Sequence, residues 1–377
     1  MEQKPFSIAI PQAALDDLHE RLARTRWPDE EQDSGWDNGT NLDYMKELCD
    51  YWQNKYDWRA QEAKLNQFPQ YRVEIDGTHI HFIQARGKGP KPKPIIITHG
   101  WPGSFFEIVK LIPLLTDPAR FGGDPADSFD VIIPSLPGYG FSDRPQQRGG
   151  MSRHRAAALW AKLMTDRLGY SRFGAAGGDI GASVTQFLAA DHPELLTGIH
   201  LTFISSHISG PVPSDLSEAE KSYLSKVQQW NAREGGYYMI QSTKPETLSF
   251  ALNDSPVGLA AWITEKFRSW MDCDGEIEKR ISKDDLLTSI MIYWMTQTIS
   301  SSIRSYSNQE PVKLEMLPHV SAAFASFPKD LNPPPREWVE RRLKLMQWTE
   351  MPRGGHFAAM EEPELLAEDM RKFFRTL

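Results

Sequence analysis

Two cysteines in 377 residues are too few for a disulfide framework, and Cys49 and Cys273 stand too far apart for a metal-binding pair. Their scarcity fits a reducing compartment, so a cytoplasmic protein is expected. Long apolar runs are missing too. Nothing approaches the ~18 consecutive apolar residues that span a bilayer, and aliphatic stretches such as Ile95-Ile96-Ile97 are only strand-sized. The opening Met1-Glu2-Gln3-Lys4-Pro5 lacks the apolar core of a signal peptide, and no membrane anchor is expected. An excess of positive charge is also absent. At a net charge of −8 the chain has no basic stripe, which excludes nucleic acid and anionic lipid as expected partners. There is no repeat and no low-complexity tract, and Pro333-Pro334-Pro335 reads as a stiff local turn. What remains is ordinary globular composition, 40% hydrophobic and 24% charged, long enough for one large domain with an insertion or for two domains.

The patterning divides the chain. Residues 11–26 predict a helix with Pro11 in its first turn and Leu15, Leu18 and Leu22 on one face. A second helix starts near Asn41 and turns Leu42, Met45, Leu48, Cys49 and Trp52 inward. From Tyr71 the period changes to two, and Asp76-Gly77 between two alternating runs predicts a hairpin. His79 and His81 share a strand face there, but no third ligand is near and no metal is expected. Strands then alternate with helices: Pro94–Thr98, a helix opened by a Ser104/Glu107 capping box, Asp130–Pro134, a helix from Ser152 to Leu168, Phe173–Gly177, a helix over 182–190, and Ile199–Phe203. Residues 206 to about 310 show helical periods and no convincing strand, as over Leu216–Trp230, Leu259–Trp270 and Asp284–Ser302. Strands resume at Val320–Phe327 and Leu345–Thr349, before a last helix over Pro363–Phe374. The expected architecture is an α/β fold: a mostly parallel sheet with helices on both faces, carrying a helical lid insertion and an N-terminal helical meander. The expected division is 1–70 meander, 71–205 and 311–377 core, and 206–310 lid.

Chemistry concentrates in Gly177-Gly178-Asp179-Ile180-Gly181, between an apolar strand and a helix. A small-x-nucleophile-x-small segment there is a nucleophile elbow, whose sharp turn has no room for flanking Cβ atoms. Here the central residue is aspartate, although an aspartate in such a place also serves as an ordinary helix cap. The α/β-hydrolase fold orders its triad as nucleophile, acid, histidine. His356, in Arg353-Gly354-Gly355-His356-Phe357 after the Leu345–Thr349 strand, is the expected base. Asp330, following the Val320–Phe327 strand, is the expected acid, with Glu350 as its rival. His99-Gly100-Trp101-Pro102 occupies the position of an oxyanion loop, so the N–H groups of Trp101 and Ile180 are the expected oxyanion hole. Trp101-Pro102 is also a candidate cis peptide.

Longer stretches carry a resemblance. His99-Gly100-Trp101-Pro102-Gly103, the aspartate elbow, the run from Ala251 to Ala261, the tail from Arg353 to Leu366 and the opening Arg24-Thr25-Arg26-Trp27-Pro28 resemble the microsomal-type epoxide hydrolases nearly end to end. The resemblance implies an epoxide as small-molecule substrate, a diol as product, Asp179 as nucleophile, His356 as base and Asp330 as the acid orienting it. It also implies two lid tyrosines as donors to the epoxide oxygen, Tyr237 and Tyr306, with Tyr238 an alternative to the first. No cofactor is implied. Mammalian members of that family carry glutamate where Asp330 stands, and mammalian and insect members begin with a membrane anchor, so a soluble member is expected here. A dehalogenase is disfavoured because Ile180, and not tryptophan, follows the nucleophile, and a serine esterase because the elbow carries aspartate. A binding protein that kept the fold and lost catalysis is disfavoured by the presence of the whole set. The particular epoxide, a detoxifying or biosynthetic role, and assembly into a homo-oligomer are left open.

Overall fold

Asp76 and Gly77 take φ values of 51° and 75°, the left-handed pair that a primed two-residue hairpin turn requires. They join β2 (Gln70–Ile75) to β3 (Thr78–Ala85) with Ile75 opposite Thr78. The computed structural model describes residues 3–146, 151–206, 213–307 and 319–377. Around this hairpin it builds a nine-stranded sheet that also contains β1 (Lys4–Phe6), β4 (Lys93–Thr98), β5 (Phe129–Pro134), β6 (Phe173–Gly177), β7 (Leu196–Leu201), β8 (Ser321–Ser326) and β9 (Lys344–Glu350). The spatial order is β1-β2-β3-β5-β4-β6-β7-β8-β9. Every pair from β5 to β9 is parallel, and the three strands at the other edge are antiparallel. Strands covered on both faces need apolar residues at every position rather than at alternate ones. That explains the unbroken burial of Ile95-Ile96-Ile97 and Val131-Ile132-Ile133.

Helices Arg153–Lys162 and Asp179–Asp191 pack together, as do Leu111–Thr116 and Pro363–Arg375, and these pairs cover the sheet. Ser152 caps the first by accepting from the Arg155 N–H, and Gly169, at φ 76°, ends that segment. The fold is that of the α/β hydrolases.

Between β7 and β8 the described residues form helices and no strand: Glu218–Glu234, Gly236–Thr243, Pro245–Asp254, Pro256–Trp270, Lys283–Thr296 and Ile299–Arg304. The single helix expected over 284–302 is two, because Gln297 adopts φ 53° and the chain turns there. The opening stretch clamps this insertion from outside. Helices Gln12–Ala23 and Leu42–Asn54 pack on Pro256–Trp270. The Tyr51 hydroxyl donates to Asp284 Oδ1 at 2.9 Å, and the Tyr56 hydroxyl bonds Thr288 at 3.0 Å. Two elements of this stretch were not anticipated, the helix Trp58–Leu65 and the edge strand β1, which pairs with β2 and so ties the opening residues into the core sheet.

One local expectation is corrected. Ser104 accepts from the Phe106 N–H at 3.3 Å, within a short 3-10 turn over Phe105–Ile108, and makes no reciprocal box with Glu107. Gly103 is the reason: a Cβ there would lie 1.8 Å from Glu107 Oε2, so its absence lets the Glu107 side chain fold inward. His79 is exposed and bonds Asp143, whereas His81 is fully buried between Ser135 and Gln70. Among the described residues no three His, Cys, Asp or Glu side chains gather as a metal site, and no helix is long and apolar enough to cross a membrane. His207 and the expected core boundary at 311 lie outside the described residues.

Candidate active site

β6 ends at Gly177 and the helix begins on Asp179 itself, whose φ of 45° is uncommon for a residue with a side chain. Packing forces this turn. A Cβ on Gly177 would sit 2.5 Å from the Gly181 carbonyl carbon, and one on Gly181 would sit 2.0 Å from the Thr98 carbonyl oxygen of β4. These are main-chain obstacles that cannot rotate away, so both positions tolerate only glycine. The turn lifts the Asp179 carboxylate above the sheet at a helix N-terminus, where the backbone dipoles favour an anion.

The two carboxylate oxygens have different neighbours. Oδ1 accepts the Trp101 N–H at 2.9 Å, and the Ile180 N–H also bonds the carboxylate. Trp101 can approach because Gly100 lacks a Cβ, which would otherwise lie 2.4 Å from the Asp179 Cβ. The Trp101-Pro102 peptide is cis. Oδ2 faces His356 Nε2 at 3.7 Å, too long for a hydrogen bond but close for an ion pair. Burial pushes the Asp179 carboxyl toward its neutral form, yet His356 and the two N–H groups outweigh it and hold the group below the usual carboxylate range.

On the other side of the imidazole, Nδ1 bonds Asp330 Oδ1 at 2.6 Å, and both side chains are almost wholly buried. Burial alone would lower the basicity of His356, but the charges of Asp330 and Asp179 overcome it and raise its pKa well above the ordinary value. Glu350 is exposed at the end of β9, where its Oε1 takes a long bond from the Trp348 indole N–H. The acid beside the histidine is therefore Asp330.

Two carboxylates near this centre were not read from the sequence as part of the site. Glu361 accepts three backbone N–H groups: Asp272 at 2.8 Å and Gly355 at 3.0 Å on Oε2, and Phe357 at 2.9 Å on Oε1. It grips the main chain on both sides of His356. Burial still raises it to about 7 against those bonds. The His356 N–H donates to the Trp270 carbonyl at 2.8 Å, a close approach possible because Gly355 precedes it. Glu107 is the other, buried enough that its carboxyl is pushed up to about 8, and accepting the Gly100 N–H. The signal for both was present but weak: glutamates among apolar neighbours, one shortly after each of the two glycine-containing site loops.

The insertion supplies an aromatic ceiling. Tyr237 stacks on Trp101 with centroids 5.6 Å apart and planes 5° from parallel, and Tyr306 meets the same indole edge-on at 5.7 Å. The two phenols are 6.2 Å apart, centroid to centroid, and both are buried. Trp270 bridges Tyr237 and His356. Tyr238 touches Tyr306 but is 39% exposed, so of the two adjacent tyrosines Tyr237 is the one that faces the centre. Burial, with the Asp179 charge nearby, raises both buried phenols far above their ordinary pKa and keeps their O–H groups intact.

Comparison with known proteins agrees with this arrangement. Residues 3–108 match the family model described as epoxide hydrolase N terminus, and residues 93–234 match that of the alpha/beta hydrolase fold. A Stigmatella aurantiaca protein provisionally named as an epoxide hydrolase is 48% identical over 99% of this chain and 85% of its own length. Epoxide hydrolase 1 of Sus scrofa is 39% identical over 99% of this chain and 89% of its own. The chain belongs to the epoxide hydrolase family. The solved epoxide hydrolase of Aspergillus niger superposes with a TM-score of 0.88 at 32% identity, covering 100% of this chain and 97% of that one. This family member is thus an enzyme of the hydrolase class, and its match with those relatives runs through core, insertion and opening stretch alike.

Proposed function

We propose that this family member converts an epoxide and water to a vicinal diol in two steps, through an ester on Asp179. The observation that carries the reading is the asymmetry of the Asp179 carboxylate, with Oδ1 held by the Trp101 N–H and Oδ2 turned to His356. The free oxygen, Oδ2, attacks an oxirane carbon and the C–O bond of the ring breaks. An alkoxide is a poor leaving group, so the developing charge needs a donor. Tyr237 and Tyr306 supply O–H groups from the ceiling, and one of them gives up its proton. Together they contribute ~3–6 kcal/mol if they match a general-acid effect of 10²–10⁴-fold.

Ester formation removes the negative charge from Asp179, and both effects of that charge then reverse. The phenols lose a neighbour that opposed their ionisation, and His356 loses one of the two charges that kept it protonated. The imidazolium gives its proton to the tyrosinate left by ring opening, and the neutral ring is then a base at the moment when a base is needed. Water attacks Cγ, its proton passes to Nε2, and the oxyanion forms on Oδ1, which already accepts the Trp101 N–H, with the Ile180 N–H as the second donor. Cγ–Oδ2 then breaks, His356 returns the proton to the departing oxygen, and the new carboxylic acid protonates His356, which restores the starting state. Asp330 holds the ring and balances the imidazolium.

The test is His356→Gln. Attack on an epoxide needs no base, so this variant should accumulate one alkyl group per chain on Asp179, visible by intact mass and mapped by peptide fragmentation. An unmodified Asp179 after exposure to epoxide, or normal turnover by the variant, refutes the reading.

A further inference from the structure

Asp179 has a second side. Beneath the carboxylate lies a cavity of about 40 Å³, lined by Asp179 and His356 together with Glu107, Thr202 and His200. Among the described residues its wall takes none from the helical insertion and is completed by core side chains such as Leu111 and Met370. Tyr237 and Tyr306 are not part of this wall, whereas Trp101, which both rings meet, is, and the rest comes from the strands and helices of the core. A water needs ~10–15 Å³ measured in this way and two to four polar partners, so the cavity has room for at least one and polar groups to hold it. Thr202 is turned toward the elbow, since a Cβ on Gly178 would meet its Oγ1 at 2.6 Å. His200 is anchored by Nε2 to Asp369 Oδ2 at 2.8 Å.

Glu107 is not part of the helix cap. The Ser104 cap is complete without it, and its inward course depends on the missing Cβ of Gly103. It bonds the Gly100 N–H, next to the amide that holds Asp179, and keeps part of its surface open while lining the cavity. A carboxyl set this way has one oxygen for Gly100 and one for a water.

We propose that this cavity stores the water that hydrolyses the ester, with Glu107 as its positioning residue, so that water reaches Cγ from the core side while the epoxide enters under the tyrosines. The proposal rests on Asp179 as nucleophile and His356 as base. The hydrolytic water gives a proton to His356 Nε2 and its oxygen becomes part of the Asp179 carboxylate. Glu107 keeps its own proton inventory unchanged through the cycle.

The experiment measures the two half-reactions separately by rapid-quench single turnover, following protein-bound and released product from a radiolabelled epoxide such as styrene oxide. Glu107→Leu should slow ester hydrolysis about 10- to 100-fold, the scale of a reactant held out of place. Alkylation should stay within about three-fold of wild type, and ester should accumulate at steady state. Glu107→Gln retains an acceptor and a donor and should recover most of the hydrolysis rate. Equal slowing of both steps in Glu107→Leu, or unchanged hydrolysis, overturns the proposal. If the leucine variant does not fold, Glu107→Ala decides: slower hydrolysis with alkylation within about three-fold of wild type supports the proposal, and any other result overturns it. The outcome is separate from that of His356→Gln, which tests whether the ester exists at all.

Discussion

Replacing Glu361 by glutamine probes how the main chain around His356 is held. The wild-type carboxylate takes two N–H groups on Oε2 and one on Oε1. The amide oxygen of glutamine can keep the pair from Asp272 and Gly355, which leaves the amide NH₂ against the Phe357 N–H, donor facing donor. One buried N–H loses its acceptor, at a cost of ~1–3 kcal/mol. Glu361→Ala strands all three, roughly 3–9 kcal/mol, which is comparable to the ~5–15 kcal/mol that holds a typical domain together. Glutamine is thus the informative change and alanine the severe one. The unpaired N–H adjoins His356, so under the proposed mechanism the ring should shift and hydrolysis of the Asp179 ester should fall by up to about 10²-fold. Alkylation needs Asp179 and the tyrosines and should fall less. The assay pairs denaturant unfolding with the two single-turnover rates. A glutamine variant with wild-type stability and wild-type ester hydrolysis would show that the three N–H bonds do not position His356.

Tyr237→Phe and Tyr306→Phe keep the stacked rings while deleting the donors, so folding should change by less than ~1 kcal/mol each, and alkylation by epoxide should slow in each and nearly vanish in the double variant. A double variant that alkylates at the wild-type rate assigns the phenols no part in ring opening. The charges around His356 also set a pH dependence. Burial lowers its basicity, and Asp330 and Asp179 raise it above the ordinary value in the free enzyme. Once Asp179 is an ester only Asp330 remains, so the proton is lost at lower pH. The ester-hydrolysis rate should rise with pH and level off at a midpoint below that of His356 in the free enzyme, read from its ring resonances by NMR; coincident midpoints would refute the coupling.

Much of the architecture was legible because its signals are local. Asp76-Gly77 announces a hairpin by backbone preference alone, and a buried parallel strand announces itself as an apolar run such as Ile95-Ile96-Ile97. The elbow is legible because steric exclusion writes glycine on both sides of Asp179. Chain order nominated Asp330 and His356, and the fold brings Asp330 to His356 and His356 to Asp179. Other features depend on contacts distant in sequence. β1 is a three-residue edge strand, too short to show a period. The break at Gln297 carries no glycine or proline to mark it. Tyr237 and Tyr238 differ by one helical step of about 100°, and only the position of Trp101 decides which faces inward. Glu107 was read as half of a capping box because its spacing from Ser104 allowed it, and the inward alternative becomes visible only when Gly103 is placed against it.

Trp101 belongs to two parts of the protein at once. Its amide is fixed by the core loop that serves Asp179, and its ring is fixed by Tyr237, Trp270 and Tyr306 from the insertion. Within the seam between core and insertion, this one residue is therefore held from both sides. Core and insertion are not interchangeable parts. A chimera that brings in a foreign insertion has to bring aromatic partners for that indole as well, or the amide beneath it loses the support that keeps it aimed. Recombination of related sequences should keep these four rings together as one inherited block, with the variation in pocket shape drawn from the residues around them.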